Sequence, residues 1–407
     1  MTHFCPPKSS VAWWRSPADR RVRRAASASV CPSSYATQRQ DVIGLPGSSH
    51  ERDFLLNVGR YGWAGADAFA PAPDLLTRQR DLDWSWLTTQ LYRHRLMGLG
   101  WQMLIGPWSD AGGKLPRGYA LYETWYSATV HRNRLMREEL RRVAAHLHQA
   151  DVQVLLRRGP ALIEHTYHDH GVRPMSDIDL LIRPGQEERF VAALGELGYR
   201  SGDLSADKRT IIARPAPDEV LPRLLKPTGD PLLRVLIIDA STVVSAAAPQ
   251  LDTEAVFMAA RATPSLAAAM MTPHHFLLDL CIHLYEESTT LVYVQRGRFQ
   301  RLMQYVDVLA YLRATAVDWD AFLAECQALQ LCAPAYFALG NAHRLYDQAP
   351  LPRSVLQRVA ASANVPEDFL DLYGADELPE PARWDTDLEQ RLFDEALPAA
   401  RPRPDTP

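Results

Sequence analysis

The tripeptide Asp177-Ile178-Asp179 runs directly into Leu180-Leu181-Ile182 and lies downstream of the tract Leu155-Leu156-Arg157-Arg158-Gly159-Pro160. A chain with this arrangement must place an apolar strand, a Gly-Pro break with a short helix, a polar loop and a second apolar strand in succession. Alternate residues of a strand face the same way, about 6 to 7 Å apart, so both aspartates project from one face. That span suits a hard divalent cation, or two cations about 3.5 to 4 Å apart, which take oxygen ligands together with substrate phosphates.

Asp-x-Asp recurs at Asp81/Asp83, Asp318/Asp320 and Asp385/Asp387, so the pair by itself is not diagnostic. Asp81/Asp83 and Asp318/Asp320 precede amphipathic segments and read as helix starts, where carboxylates are favoured by the helix dipole. Asp177/Asp179 differs in opening a hydrophobic strand.

With 47% hydrophobic residues in 407, the chain can build a sizeable core and hold two or three domains. A net charge of −4 gives no global pull toward nucleic acid or an anionic membrane. No apolar run reaches the roughly 18 residues of a membrane span. Five cysteines, widely spaced and without Cys-x-x-Cys, argue against a disulfide framework or zinc ribbon and fit a reducing cytoplasm.

Residues 1–50 carry Arg15, Arg20, Arg21, Arg23 and Arg24 among Ser, Ala and Pro without periodicity, which predicts a disordered basic leader. Residues 366–407 read as an acidic, Pro-interrupted tail, and neither 1–50 nor 380–407 is expected to contribute to the fold. Between them the pattern predicts an N-terminal helical region (51–150), an α/β core (151–250) and a C-terminal helical domain (251–365). Segments 83–104 and 118–150 read as helices, the latter striped by Met136, Leu140, Val143 and Leu147. Strands are expected over 152–156, 178–182, 208–214 and 232–239, with a short helix over 161–167 and another carrying Phe190, Leu194 and Leu197. From Thr272 onward the pattern is helical: Phe276, Leu280 and His283; Phe299, Leu302, Val306 and Leu309; then Phe322, Cys326 and Leu329. The fold class is therefore α+β, a small mixed sheet flanked by helices.

With these residues in hand, the chain resembles the poorly characterised bacterial nucleotidyltransferase family of the polymerase-β-like superfamily. That family runs from a strand ending in Leu-Lys-Gly, through a short helix, to a segment close to Arg-Pro-Met-x-Asp-hydrophobic-Asp-Leu-Leu-hydrophobic. Here the match reads Leu156-Arg157-Arg158-Gly159-Pro160, then Arg173-Pro174-Met175-Ser176-Asp177-Ile178-Asp179-Leu180-Leu181-Ile182, within roughly residues 80 to 360. The chain departs from the pattern in having Arg158 for the lysine, Pro160 for the superfamily's serine, and Asp239-Ala240-Ser241-Thr242 where the family tends to Asp/Glu-Leu-His-Trp.

The resemblance implies a nucleotidyltransferase that moves a nucleoside monophosphate from a triphosphate such as ATP to a hydroxyl or similar acceptor on a small molecule or peptide. It implies Asp177 and Asp179 as catalytic metal ligands in a two-Mg²⁺ site, and Asp239 as the third carboxylate, ligating metal or accepting the nucleophile's proton. Gly159 would admit backbone amides to the β/γ-phosphates, with Arg158 and Arg173 as cationic clamps. Plainer roles remain open: Asp239 as a strand-end cap, Arg173 as a surface arginine before a proline. Two other functions also remain open, a catalytically weak nucleotide-binding accessory in peptide or polysaccharide tailoring and an antitoxin-like protein modifier. Of the histidines, His165, His168 and His170 read as a solvated or phosphate-facing loop and His283 as a core residue. Asp307, on an apolar helix face, is expected partly buried beside the cleft.

Overall fold

The computed structural model describes residues 49–205, 211–213, 221–245, 251–263, 266–297, 300–375 and 377–393. Apart from a two-stranded sheet that pairs Leu372–Tyr373 with Ala382–Arg383, its strands are β1 (Val154–Leu156), β2 (Ile178–Ile182), β3 (Arg200–Leu204), β4 (Ile211–Ala213), β5 (Leu224–Pro227), β6 (Val235–Ser241), β7 (Arg261–Ala262) and β8 (Ala269–Met270). They form one mixed sheet in the order β4-β3-β5-β6-β2-β1-β8-β7. β2 lies at its centre, antiparallel to β1 (Val154 opposite Ile182) and parallel to β6 (Ile178 opposite Ile238). Both β1 and the apolar residues of β2 are buried, as expected for a strand covered on two faces.

The strand bounds follow local hydrogen bonding. β1 begins at Val154 rather than Val152 because the Val152 N–H donates to the Leu147 carbonyl, closing the preceding helix. β6 begins at Val235 rather than Leu232 because the Asp230 carboxylate accepts from the N–H groups of Leu232 and Leu233 and makes a turn there. Of the strand expected over 208–214, Ile211–Ala213 is present as β4, and the rest of that segment lies outside the described residues. β7 and β8 carry the sheet past residue 250.

The helix Ala120–Gln149 buries Met136, Leu140, Val143 and Leu147 along one stripe. The helix expected over 83–104 is two helices, Trp84–Arg93 and Met97–Met103, because Arg95 takes a left-handed φ of 62° between them. Gly98, in the second, approaches the polar loop so closely that a Cβ would collide with the Gly171 carbonyl. Asp83 and Asp318 are N-caps, each accepting from two backbone N–H groups, which settles two of the other Asp-x-Asp copies as helix starts.

C-terminal to the sheet run the helices Pro273–Thr289, Leu302–Ala314, Trp319–Ala328, Cys332–Leu345 and Arg353–Ala363. The opening helix Ser49–Ala64 packs on Leu302–Ala314, and one continuous hydrophobic cluster extends from Phe54 through the sheet to Phe393. Among the described residues no helix is long and apolar enough to cross a membrane.

The expectation that 380–407 adds nothing to the fold needs correction. Leu388–Phe393 is a helix that buries Leu388, Leu392 and Phe393, and the buried Arg391 donates to the Leu370 carbonyl at 3.0 Å and pairs with Asp371 at 2.9 Å. Acidic composition averaged over the tail obscured this short apolar face. The leader expectation falls on residues 1–48, outside those described, and Ser49 and His50 already belong to a helix.

Candidate active site

The parallel register of β2 and β6 sets Asp179 directly opposite Asp239, and Asp177 stands one residue before β2. One carboxylate oxygen from each of the three lies within 4.8 Å of the others. Asp177 and Asp179 are half-buried and Asp239 is exposed at the mouth. Burial, together with the charge of Asp177, pushes the Asp179 carboxyl up to about 7; Arg158 opposes that shift and Asp239 adds to it. The two local cations are not tight partners, with Arg158 Nη1 3.7 Å from Asp179 and Arg223 Nη2 3.6 Å from Asp239 in an exposed pair. The cluster is thus a set of hard oxygen donors short of positive charge, the environment a divalent cation takes.

Beside it the helix Arg158–His165 begins in an unusual way. Arg158, a non-glycine residue, sits at φ 40°, a left-handed conformation that costs about 1 kcal/mol or more and persists only where surroundings enforce it. Arg157 supplies that enforcement. Its backbone N–H donates to the Asp179 carbonyl at 3.2 Å, and its buried guanidinium grips Asp279 through two donors, one at 3.2 Å, while also reaching the Val244 carbonyl beyond β6. Asp279, 1% exposed on the helix Pro273–Thr289, lies 3.9 Å from Arg158 Nε as well. Despite burial, Arg158 is held more firmly protonated than a free arginine by Asp279 and Asp179.

Arg173 is no surface residue. Its guanidinium makes a two-pronged pair with Asp307, both bonds at 2.9 Å, and Tyr167 Oη donates to the same carboxylate at 2.9 Å. Arg173 Nη1 also covers Gly159, 3.1 Å from where a Cβ would stand, so a larger residue at 159 would force the arginine aside. Asn133, fully buried on the long helix, donates to the carbonyls of His170 and Arg173 at 2.7 and 2.8 Å and accepts from the Met175 N–H at 3.2 Å.

A cavity of about 740 Å³ joins these groups, within the range of small-molecule sites. All six residues singled out from the sequence line it: Asp177, Asp179, Asp239, Arg158, Gly159 and Arg173. His283, expected in the core, instead faces this cavity, and burial together with Arg158 and other nearby arginines holds its pKa well below the ordinary value, so it is neutral. His170 pairs with Arg137 at 2.6 Å and does not line the cavity. Reading the sequence missed Asp279, whose signal was a lone carboxylate inside the apolar run Phe276–Ile282, and the arginines Arg95 and Arg301.

Asp177 just before β2, Asp179 within it and Asp239 on the adjacent parallel strand thus form a cluster that could hold a metal ion beside a Gly-containing helix start. Residues 80–347 match the family model described as uncharacterised nucleotidyltransferase, and the chain belongs to that family. No curated protein and no solved structure matches it.

Proposed function

We propose that the chain is a Mg²⁺-dependent nucleotidyltransferase that moves a nucleoside monophosphate from a nucleoside triphosphate to a hydroxyl or similar acceptor on a small molecule or peptide. The observation that carries this reading is the approach of Asp177, Asp179 and Asp239 to within 4.8 Å in a cleft large enough for a nucleotide. These three would hold the metal, which when bound supplies neutralisation of charge on the reacting phosphates. Asp239, the exposed member, is the one open to an incoming acceptor and suited to take its proton. Gly159, by lacking a side chain, lets the Arg173 guanidinium lie over the helix start, so that a phosphate bound there would meet that cation beside the backbone N–H groups. Arg158 and Arg173 lend positive field from fixed positions. A cytoplasmic location belongs to the same proposal and fits the free, buried thiols of Cys281, Cys326 and Cys332.

The test is pyrophosphate release with each of the four triphosphates, Mg²⁺ and a panel of hydroxyl acceptors. Wild type should turn over, and Asp179→Asn should keep its circular dichroism while losing turnover by orders of magnitude, because it removes a ligand needed most in the transition state. Equal turnover in the two proteins would sink the reading. Nucleotide binding without turnover by wild type would instead favour the accessory role.

A further inference from the structure

We propose that Arg95 and Arg301 form a polyphosphate-binding pair on the helical wall of the cleft, gripping the terminal phosphates of the triphosphate. This deepens the nucleotidyltransferase reading and rests on it for the identity of the ligand.

The first observation is how the cleft's charges are distributed. The cavity is rich in arginine, yet Arg157 and Arg173 are each bonded to a buried carboxylate, and Arg158 and Arg223 stand 3.7 and 3.6 Å from Asp179 and Asp239, the acids of the site itself. Arg173, one of the clamps suggested by the sequence, therefore has two donors taken by Asp307, and Arg158, the other, is shared between Asp179 and Asp279, so both act on a phosphate mainly through their field. Among the described residues, three arginines that line the same cavity have no carboxylate within ion-pair distance: Arg296, which is exposed, and Arg95 and Arg301, which are half-buried. The neighbouring acid Glu287 has one oxygen accepting from Gln304 Nε2 at 2.6 Å and the other 3.8 Å from His283.

The second observation is that the fold holds this pair together. Arg95 sits between the helices Trp84–Arg93 and Met97–Met103 in its left-handed conformation, and Arg301 caps the helix Leu302–Ala314. Their chain neighbours are bonded directly, the Leu302 N–H donating to His94 Nδ1 at 3.1 Å. Burial pushes His94 down to about 3, so the ring is neutral and free to accept there. Phe393 packs edge-on against that ring at 5.3 Å. Arg95 is itself pushed down to about 10, first by burial and then by Arg301 and Arg173, a shift that the more distant charges of Glu287 and Asp177 oppose without reversing. Two like charges brought to one wall of an open cleft by bonded chain neighbours, one of them on a strained backbone, suit an anion of high charge as their partner. A triphosphate whose α-phosphate lies at the three aspartates carries its remaining negative charge on the β- and γ-phosphates, and these are what the pair would take.

The test is calorimetric titration of the full chain with tripolyphosphate, with a nucleoside triphosphate and with the matching monophosphate, for wild type, Arg95→Gln, Arg301→Gln and the double variant. Each single change should weaken tripolyphosphate and triphosphate by about ten- to a hundredfold and leave the monophosphate within about twofold. Arg301→Lys should recover part of the loss and, with unchanged melting behaviour, separate a binding defect from a folding one. A double variant that binds tripolyphosphate as wild type does would overturn the proposal. So would one whose triphosphate affinity is intact while the acceptor's KM rises, since the pair would then serve an anionic acceptor. If wild type shows no nucleotidyl transfer while tripolyphosphate binding still depends on both arginines, the enzymatic reading fails and the polyphosphate site stands.

Discussion

Two kinds of aspartate lie at or just behind this cleft, and they differ in how their charge is answered. Asp279 and Asp307 are almost fully buried, yet each is held by a two-pronged arginine, Arg157 and Arg173 respectively, with a further donor on Asp307 from Tyr167. Asp177, Asp179 and Asp239 crowd one another, and their nearest arginines stand off at 3.6 to 3.7 Å. Buried carboxylates in the first set hold the molecule together, whereas the second set is a charge deficit maintained by the sheet. Removing a member of one set should therefore act on stability with the opposite sign from removing a member of the other.

The largest expected effect is at Asp279. Asp279→Ala strands the buried Arg157 and should cost about 3–5 kcal/mol in denaturant unfolding, with turnover falling because Arg158 loses its support. A loss below about 1 kcal/mol would erase the distinction between the two sets. Asp307→Asn keeps an acceptor for Arg173 and Tyr167 but removes the charge, so a smaller cost of about 1.5–3 kcal/mol is expected by the same measurement. Asp179→Asn should not destabilise the metal-free protein at neutral pH, and a drop in melting temperature there would contradict the view that this carboxylate is under-compensated.

The pH dependence sharpens the same point. Asp179 has its folded pKa raised from 3.8 to about 7, so between those values the folded state holds a proton the unfolded state has released. Stability from this group is present below about pH 4 and is lost as pH rises toward 7, the reverse of an ion-paired carboxylate. Metal-free protein should show this downward slope, Asp179→Asn should lack it, and Mg²⁺ binding near pH 7 should release protons. A slope that is unchanged in the variant would assign it to another group.

Much of the sheet wall was legible in the sequence because strands have a period of two and a hydrophobic run announces them. Asp177 and Asp179 could be placed on one face from spacing alone, and Asp239 from its position near the end of the run Leu233–Ile238. The helical wall was not legible, since it is made by tertiary contact. Nothing local in Arg95 forecasts a left-handed φ, and its neighbour Arg301 comes from a distant segment. β7 and β8 are two residues each, too short for any periodicity, and β5 ends on a proline that disguises it. The buried helix Leu388–Phe393 was hidden by the acids around it.

Asn133 has a consequence of another kind. By binding two carbonyls within the loop before β2, those of His170 and Arg173, and the N–H of Met175, one amide sets the phase in which the chain enters the strand. A slip of one residue would turn every side chain of β2 to the opposite face, carrying Asp179 away from Asp239 and putting Ile178 in its place. The long helix that carries Asn133 thus serves the sheet as an index mark, and the composition of the site is decided by an amide that faces no solvent and touches none of the three carboxylates.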